Sequence, residues 1–159
     1  MPTNGENAHA HLTATVGRPP VHGEWLEITQ ERINGFADVT DDHQFIHVDP
    51  EACATYSPWG VPIAHGFLTL SLVTALVATV PQDPRQVEGR LIGINYGFDR
   101  VRFLNPVRVG SRIRAAVAVA AVDLKDANTL QVTQAVTVEI DGETKPALVC
   151  EWITRQVFG

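Results

Sequence analysis

Residues 36–70 concentrate the side chains that could do chemistry: FADVTDDHQFIHVDPEACATYSPWGVPIAHGFLTL. Asp42 and His47 lie five residues apart in a segment with neither helical nor strand periodicity. Eighteen residues after His47, the pair His65-Gly66 opens a long apolar run. A carboxylate and an imidazole held together make an acid–base pair, and each positioned acid or base typically contributes about 10²–10⁴-fold to a rate. A glycine at a helix start adds a backbone N–H with no intrahelical partner, reinforced by the helix dipole. Such groups would hold and polarise a carbonyl. Taken singly, Asp42 also reads as a turn residue closing a helix, and His47 as a structural histidine near the core. His43, His47 and Asp49 have the residue types of metal ligands, but they precede a helix start instead of sharing a helical face, so no metal is assigned.

The elements around this stretch follow from local signals. Thr29 is a good N-cap, with Glu31 in the first turn, and Ile33, Phe36 and Ala37 form one apolar face of a short helix. Asp49 as N-cap and Pro50 at the first helical position start another, which Ser57-Pro58-Trp59-Gly60 breaks. Residues 65–80 carry no charge and are almost wholly apolar, which predicts a central helix buried on all sides. Everything afterwards reads as strand: residues 91–98 leading into 101–103, then 112–119, 130–140 and 147–153. Residues 130–140 alternate nearly perfectly, and Asp126-Ala127-Asn128 and Asp141-Gly142 mark tight turns. Long sequential strands with short turns predict an antiparallel sheet, hence an α+β class.

With 159 residues and 45% hydrophobic content, a single domain with a sizeable core is expected. The net charge of −6 argues against a nucleic-acid partner. Cys53 and Cys150, with no CxxC spacing, read as buried thiols in a reducing cytoplasm. The first 22 residues lack the layout of a signal peptide and read as a flexible arm, with His9 and His11 solvated and a single domain over 23–159. The longest apolar run, residues 67–80, is too short for a confident membrane span, so no membrane partner is expected.

Together the segments DHQFIHVDP (42–50), IAHG (63–66) and INYGFDRVRFLNPVRVGSRIR (94–114) resemble the MaoC-like dehydratases, the (R)-specific enoyl-CoA hydratases of the hot-dog fold, and their NodN-like branch in particular. The resemblance covers about residues 25–155. It implies an antiparallel sheet wrapped around a long central helix. Carried over, it makes Asp42 and His47 the catalytic pair and the backbone N–H of Gly66 the oxyanion donor. It departs at Asp41, where the family usually has glycine; a left-handed backbone there would strain a side chain.

The activity so implied is a hydro-lyase adding water to trans-2-enoyl-CoA to give (R)-3-hydroxyacyl-CoA, or the reverse. The resemblance implies a homodimer acting on an acyl-CoA thioester, with no cofactor beyond the coenzyme A of the substrate. His65 is a candidate on the substrate side or a support of the site. Asn95 and Tyr96 are candidates for an acyl pocket, which a strand interior explains equally well. Arg100, Arg102, Arg108, Arg112 and Arg114 are the only basic concentration; they fit coenzyme A phosphates or simply a wet strand face. A hot-dog thioesterase and a non-catalytic acyl-binding module are the rival readings.

Overall fold

A computed structural model describes all of residues 1–159. Four long strands, β3 (Arg90–Phe103), β4 (Arg112–Asp126), β5 (Thr129–Ile140) and β6 (Leu148–Phe158), pair antiparallel in the order β4-β5-β6-β3. Two short strands, β1 (Val21–His22) and β2 (Leu26–Glu27), both pair with β4. The expected turns close the hairpins. Asp126 Oδ1 accepts from the Asn128 N–H, and Gly142 takes the left-handed φ of 79° that its turn requires. Period-2 alternation sends Leu130, Val132, Val136, Val138 and Ile140 of β5 to the face covered by helices.

Helix α2 (Gln30–Thr40) starts where Thr29 caps it, the hydroxyl accepting from the Arg32 N–H at 3.2 Å. A four-residue turn, α3 (Phe45–Val48), follows, and then α4 (Pro50–Tyr56), capped by the Asp49 carboxylate on the Ala52 N–H at 2.9 Å. The apolar run forms α5 (Gly66–Ser71) and α6 (Val73–Ala78), interrupted at Leu72. Their inner residues Leu68, Val73, Leu76 and Val77 pack in one cluster with Ile113, Val136, Val138 and Leu148 of the sheet. The expectation of burial on all sides does not hold within one chain. Phe67 is 67% exposed, and Thr74, Ala75 and Ala78 also face outward. A single sheet can cover only one side of a helix.

The flexible arm is also corrected. Residues 4–13 form a helix, α1 (Asn4–Thr13), with a capping box between Thr3 and Glu6. Ala8 and Leu12, four apart, bury one face against Leu130, Val132 and Phe158. Gly5 permits this approach, because a Cβ there would lie 2.5 Å from the Ala127 carbonyl oxygen. His9 and His11 are accordingly half-buried instead of solvated.

Strand β3 is the bare edge of the sheet. Leu91, at 70% exposed, and Ile92, Ile94, Tyr96 and Phe103 stand open along its 14 residues. Long apolar edges of this kind invite pairing with another chain.

Candidate active site

Helix α2 ends at Asp41, whose backbone is left-handed at φ 59°, ψ 20°. That conformation turns the chain back so that Asp42 reaches the N-terminal end of α5. The next turn, α3, carries His47, which is 6% exposed. Two main-chain bonds hold its segment: Ile63 N–H to the Ile46 carbonyl at 2.9 Å, and the Gln30 side-chain amide to the His47 carbonyl at 2.8 Å. His47 Nδ1 lies 2.7 Å from the Ile63 carbonyl oxygen. A carbonyl only accepts, so Nδ1 carries the proton and Nε2 keeps a free lone pair. Burial holds the His47 pKa below its usual value; the Ile63 bond opposes this, the neighbouring His65 adds to it, and the Asp42 charge opposes it. His47 is therefore a neutral base at pH 7.

His65 closes the constellation. It is 2% exposed, its Nε2 donates to the Asp42 main-chain carbonyl at 2.9 Å, and its ring stacks on that of His47 with centroids 3.8 Å apart. Phe36 packs behind it at 5.0 Å. This burial leaves His65 with no open face toward solvent. One side-chain donor or acceptor atom from each of Asp42, His47 and His65 lies within 4.8 Å of the others. The sequence spacing therefore brings the three residues together.

These groups do not form a good metal cradle. The imidazoles are stacked with planes only 24° apart and centroids 3.8 Å apart, so their lone pairs lie in two nearly parallel planes, a poor match to a tetrahedral ion. The other trio considered from sequence is dispersed: His43 Nε2 contacts the Asp38 carboxylate at 2.9 Å, and Asp49 caps α4. Cys53 and Cys150 are buried and free, and burial pushes the Cys150 thiol up to about 11, which makes it a poor nucleophile.

Gly66 is the first residue of α5, where a backbone N–H has no intrahelical partner. A Cβ at this position would lie 3.0 Å from Cδ1 of Phe103, so the bare Cα lets that ring close over the helix start. A cavity of about 230 Å³ beside it is lined by Gly66, Thr69, Phe103, Pro106 and Ala147. Asn95 and Tyr96 lie elsewhere. Asn95 Oδ1 accepts the Trp152 indole N–H and borders a groove under α6, whereas Tyr96, 58% exposed, packs its ring under Arg155. Within one chain neither lines the cavity at Gly66, which β3 reaches only through Phe103. Most of the arginine cluster is used structurally. Arg100, Arg108, Arg112 and Arg114 pair with Glu151, Glu143, Asp141 and Glu139, and Arg112 and Arg114 also lie over the Trp25 ring.

The MaoC like domain family model matches residues 11–141. The chain belongs to this family. Among curated relatives, nodulation protein N of Rhizobium leguminosarum bv. viciae is 44% identical over 146 residues, covering 91% of this chain and 88% of its own. The 3-hydroxyacyl-thioester dehydratase Z of Mycobacterium tuberculosis is 46% identical over 148 residues, covering 93% and 95%. The solved (R)-hydratase from A. caviae involved in PHA biosynthesis superposes with a TM-score of 0.67 at 24% identity, covering 85% of this chain and 92% of its own. The fold is thus the hot-dog fold of the MaoC-like dehydratases, α+β with an antiparallel sheet. Sequence reasoning missed three parts of the site: Gln30, Phe36 and the Ile63 carbonyl. Only Phe36 left any signal, as part of the apolar face of α2.

Proposed function

We propose that this chain is a hydro-lyase that interconverts trans-2-enoyl-CoA and (R)-3-hydroxyacyl-CoA. The observation that carries the reading is the buried His47 imidazole, whose Nδ1 is engaged by the Ile63 carbonyl and one of whose ring nitrogens lies within 4.8 Å of an Asp42 carboxylate oxygen. In hydration, Asp42 and His47 grip one water. Its hydroxyl oxygen bonds to C3 of the substrate while the proton it loses passes by way of the pair to C2. The negative charge that develops on the thioester oxygen is met by the Gly66 N–H, a donor of a kind worth about 3–4 kcal/mol in the transition state. Dehydration runs the same steps backwards. The 46% identity to a 3-hydroxyacyl-thioester dehydratase supports this choice of reaction.

The working unit in this reading is a homodimer. A second copy pairing along β3 would cover Leu91, Ile92 and Ile94, the exposed row that one chain leaves bare.

Product analysis tests the reaction. Incubation with trans-2-octenoyl-CoA should yield (R)-3-hydroxyoctanoyl-CoA by chiral separation, with no free thiol. Free thiol would establish a thioesterase instead. Tight binding of the thioester without any product would establish an acyl-binding module.

A further inference from the structure

Along β5 and β6 the helix-facing side of the sheet is apolar except at one place. Along β5 the inward row reads Leu130, Val132, Gln134, Val136, Val138 and Ile140, and along β6 it reads Leu148, Cys150, Trp152, Thr154, Gln156 and Phe158. Gln134, Thr154 and Gln156 therefore form a polar island between two apolar clusters. Buried polar groups normally have hydrogen-bond partners. Here Thr154, 8% exposed, has no partner for its hydroxyl, and Gln156 receives only a 3.5 Å contact from Arg90.

The island borders two cavities of about 330 Å³ and 470 Å³. They share Val77, Gln82, Arg90, Gln134 and Gln156, so they adjoin along a groove between α6 and the sheet. Val77, Val80, Val117 and Val132 supply apolar wall, and Leu12 of α1 closes the far end. The groove starts beside Thr74, eight residues on from Gly66 and past the break at Leu72. An acyl chain whose reacting carbons sit at Gly66 would have to run past α5 to reach it, since the groove and the Gly66 cavity have no lining residue in common.

Resting on the hydro-lyase reading above, we propose that the preferred substrate carries hydroxyl groups on its acyl chain, read by Gln134, Thr154 and Gln156. Carboxamides and the threonine hydroxyl each donate and accept, as an alcohol does. A plain alkyl chain would fill the apolar walls but leave the island unpaired, which disfavours it relative to a chain that satisfies it.

The test compares three thioesters: crotonyl-CoA, which is too short to reach the groove, trans-2-decenoyl-CoA, and 10-hydroxy-trans-2-decenoyl-CoA. The hydroxylated chain should show kcat/KM at least about tenfold above the plain one. In the double variant Gln134→Leu, Gln156→Leu, that ratio should fall to about one or below. The ratio within one sample does not depend on how much of the variant is folded. Turnover of crotonyl-CoA or decenoyl-CoA without a preference for the hydroxylated chain overturns the inference alone. A preference that survives in the double variant also overturns it. Silence on all three thioesters overturns the hydro-lyase reading, and this inference with it.

Discussion

The imidazoles of His47 and His65 stack at 3.8 Å, and the hydrogen bonds of each ring lead to the loop that carries the other member of the site. His65 Nε2 reaches the main chain of Asp42, while His47 Nδ1 reaches the main chain of Ile63, two residues before His65. The segments that carry the proposed site are thus cross-tied, with His65 bonded to the main chain of Asp42 and stacked on His47.

That role predicts the behaviour of His65→Phe. Phenylalanine keeps a ring against His47 and Phe36 but orphans the Asp42 carbonyl. Stability in urea should fall by about 1–3 kcal/mol, the cost of an unpaired buried polar group. In the folded variant kcat should drop by roughly tenfold or more with KM little changed. A wild-type kcat would show that His65 positions nothing.

Asp41 occupies a left-handed backbone that disfavours side chains by about 1–2 kcal/mol, partly offset because glycine gives the unfolded chain more freedom. Asp41→Gly should therefore raise stability by roughly 0.5–1 kcal/mol net in denaturant unfolding. A loss of stability would mean that the aspartate makes up for its strain in some other way.

The pH dependence follows from His47, whose folded pKa lies below the ordinary 6.5, chiefly through burial. The base form then still outweighs the protonated one at pH 6.5, so kcat/KM there should stand above half its plateau, with the half-maximal point at lower pH. For stability the sign is the same. The unfolded imidazole takes up a proton near pH 6.5 while the folded one resists, so the contribution of His47 is intact above that pH and is lost as pH falls through the folded pKa. A half-maximal rate at or above pH 6.5 would contradict the assignment.

Much of this arrangement was legible in the sequence. Thr29, Asp49-Pro50 and Asp141-Gly142 act locally, so their cap and turn signals translate directly into element ends. The left-handed turn at Asp41 agrees with the glycine that the resemblance places there, and the motif residues Asp42, His47 and His65 come within 4.8 Å of one another. What the sequence hid was long-range. Nothing near His65 indicates that it reaches back 23 residues to the Asp42 carbonyl. Residues 4–13 have a weak apolar face, and only the sheet surface at Leu130 and Phe158 makes that face worth burying. The uniform apolarity of residues 65–80 likewise concealed which side one chain covers, since an apolar side chain looks the same whether its own sheet or a partner buries it.

The bare β3 edge predicts association. Wild-type protein should sediment as a dimer at micromolar concentration, and Ile92→Lys, which places a charge in the exposed row, should weaken that dimer at least about tenfold. A wild-type monomer would refute pairing along β3.

The central claim is that Asp42 and His47 act together on one water. Its most direct measurement is the loss of enoyl absorbance from trans-2-enoyl-CoA by wild type, Asp42→Asn and His47→Gln. The account predicts measurable hydration by wild type and a fall in kcat of at least about 10²-fold in each variant, with the fold retained by circular dichroism. Near-normal turnover in either variant would contradict it.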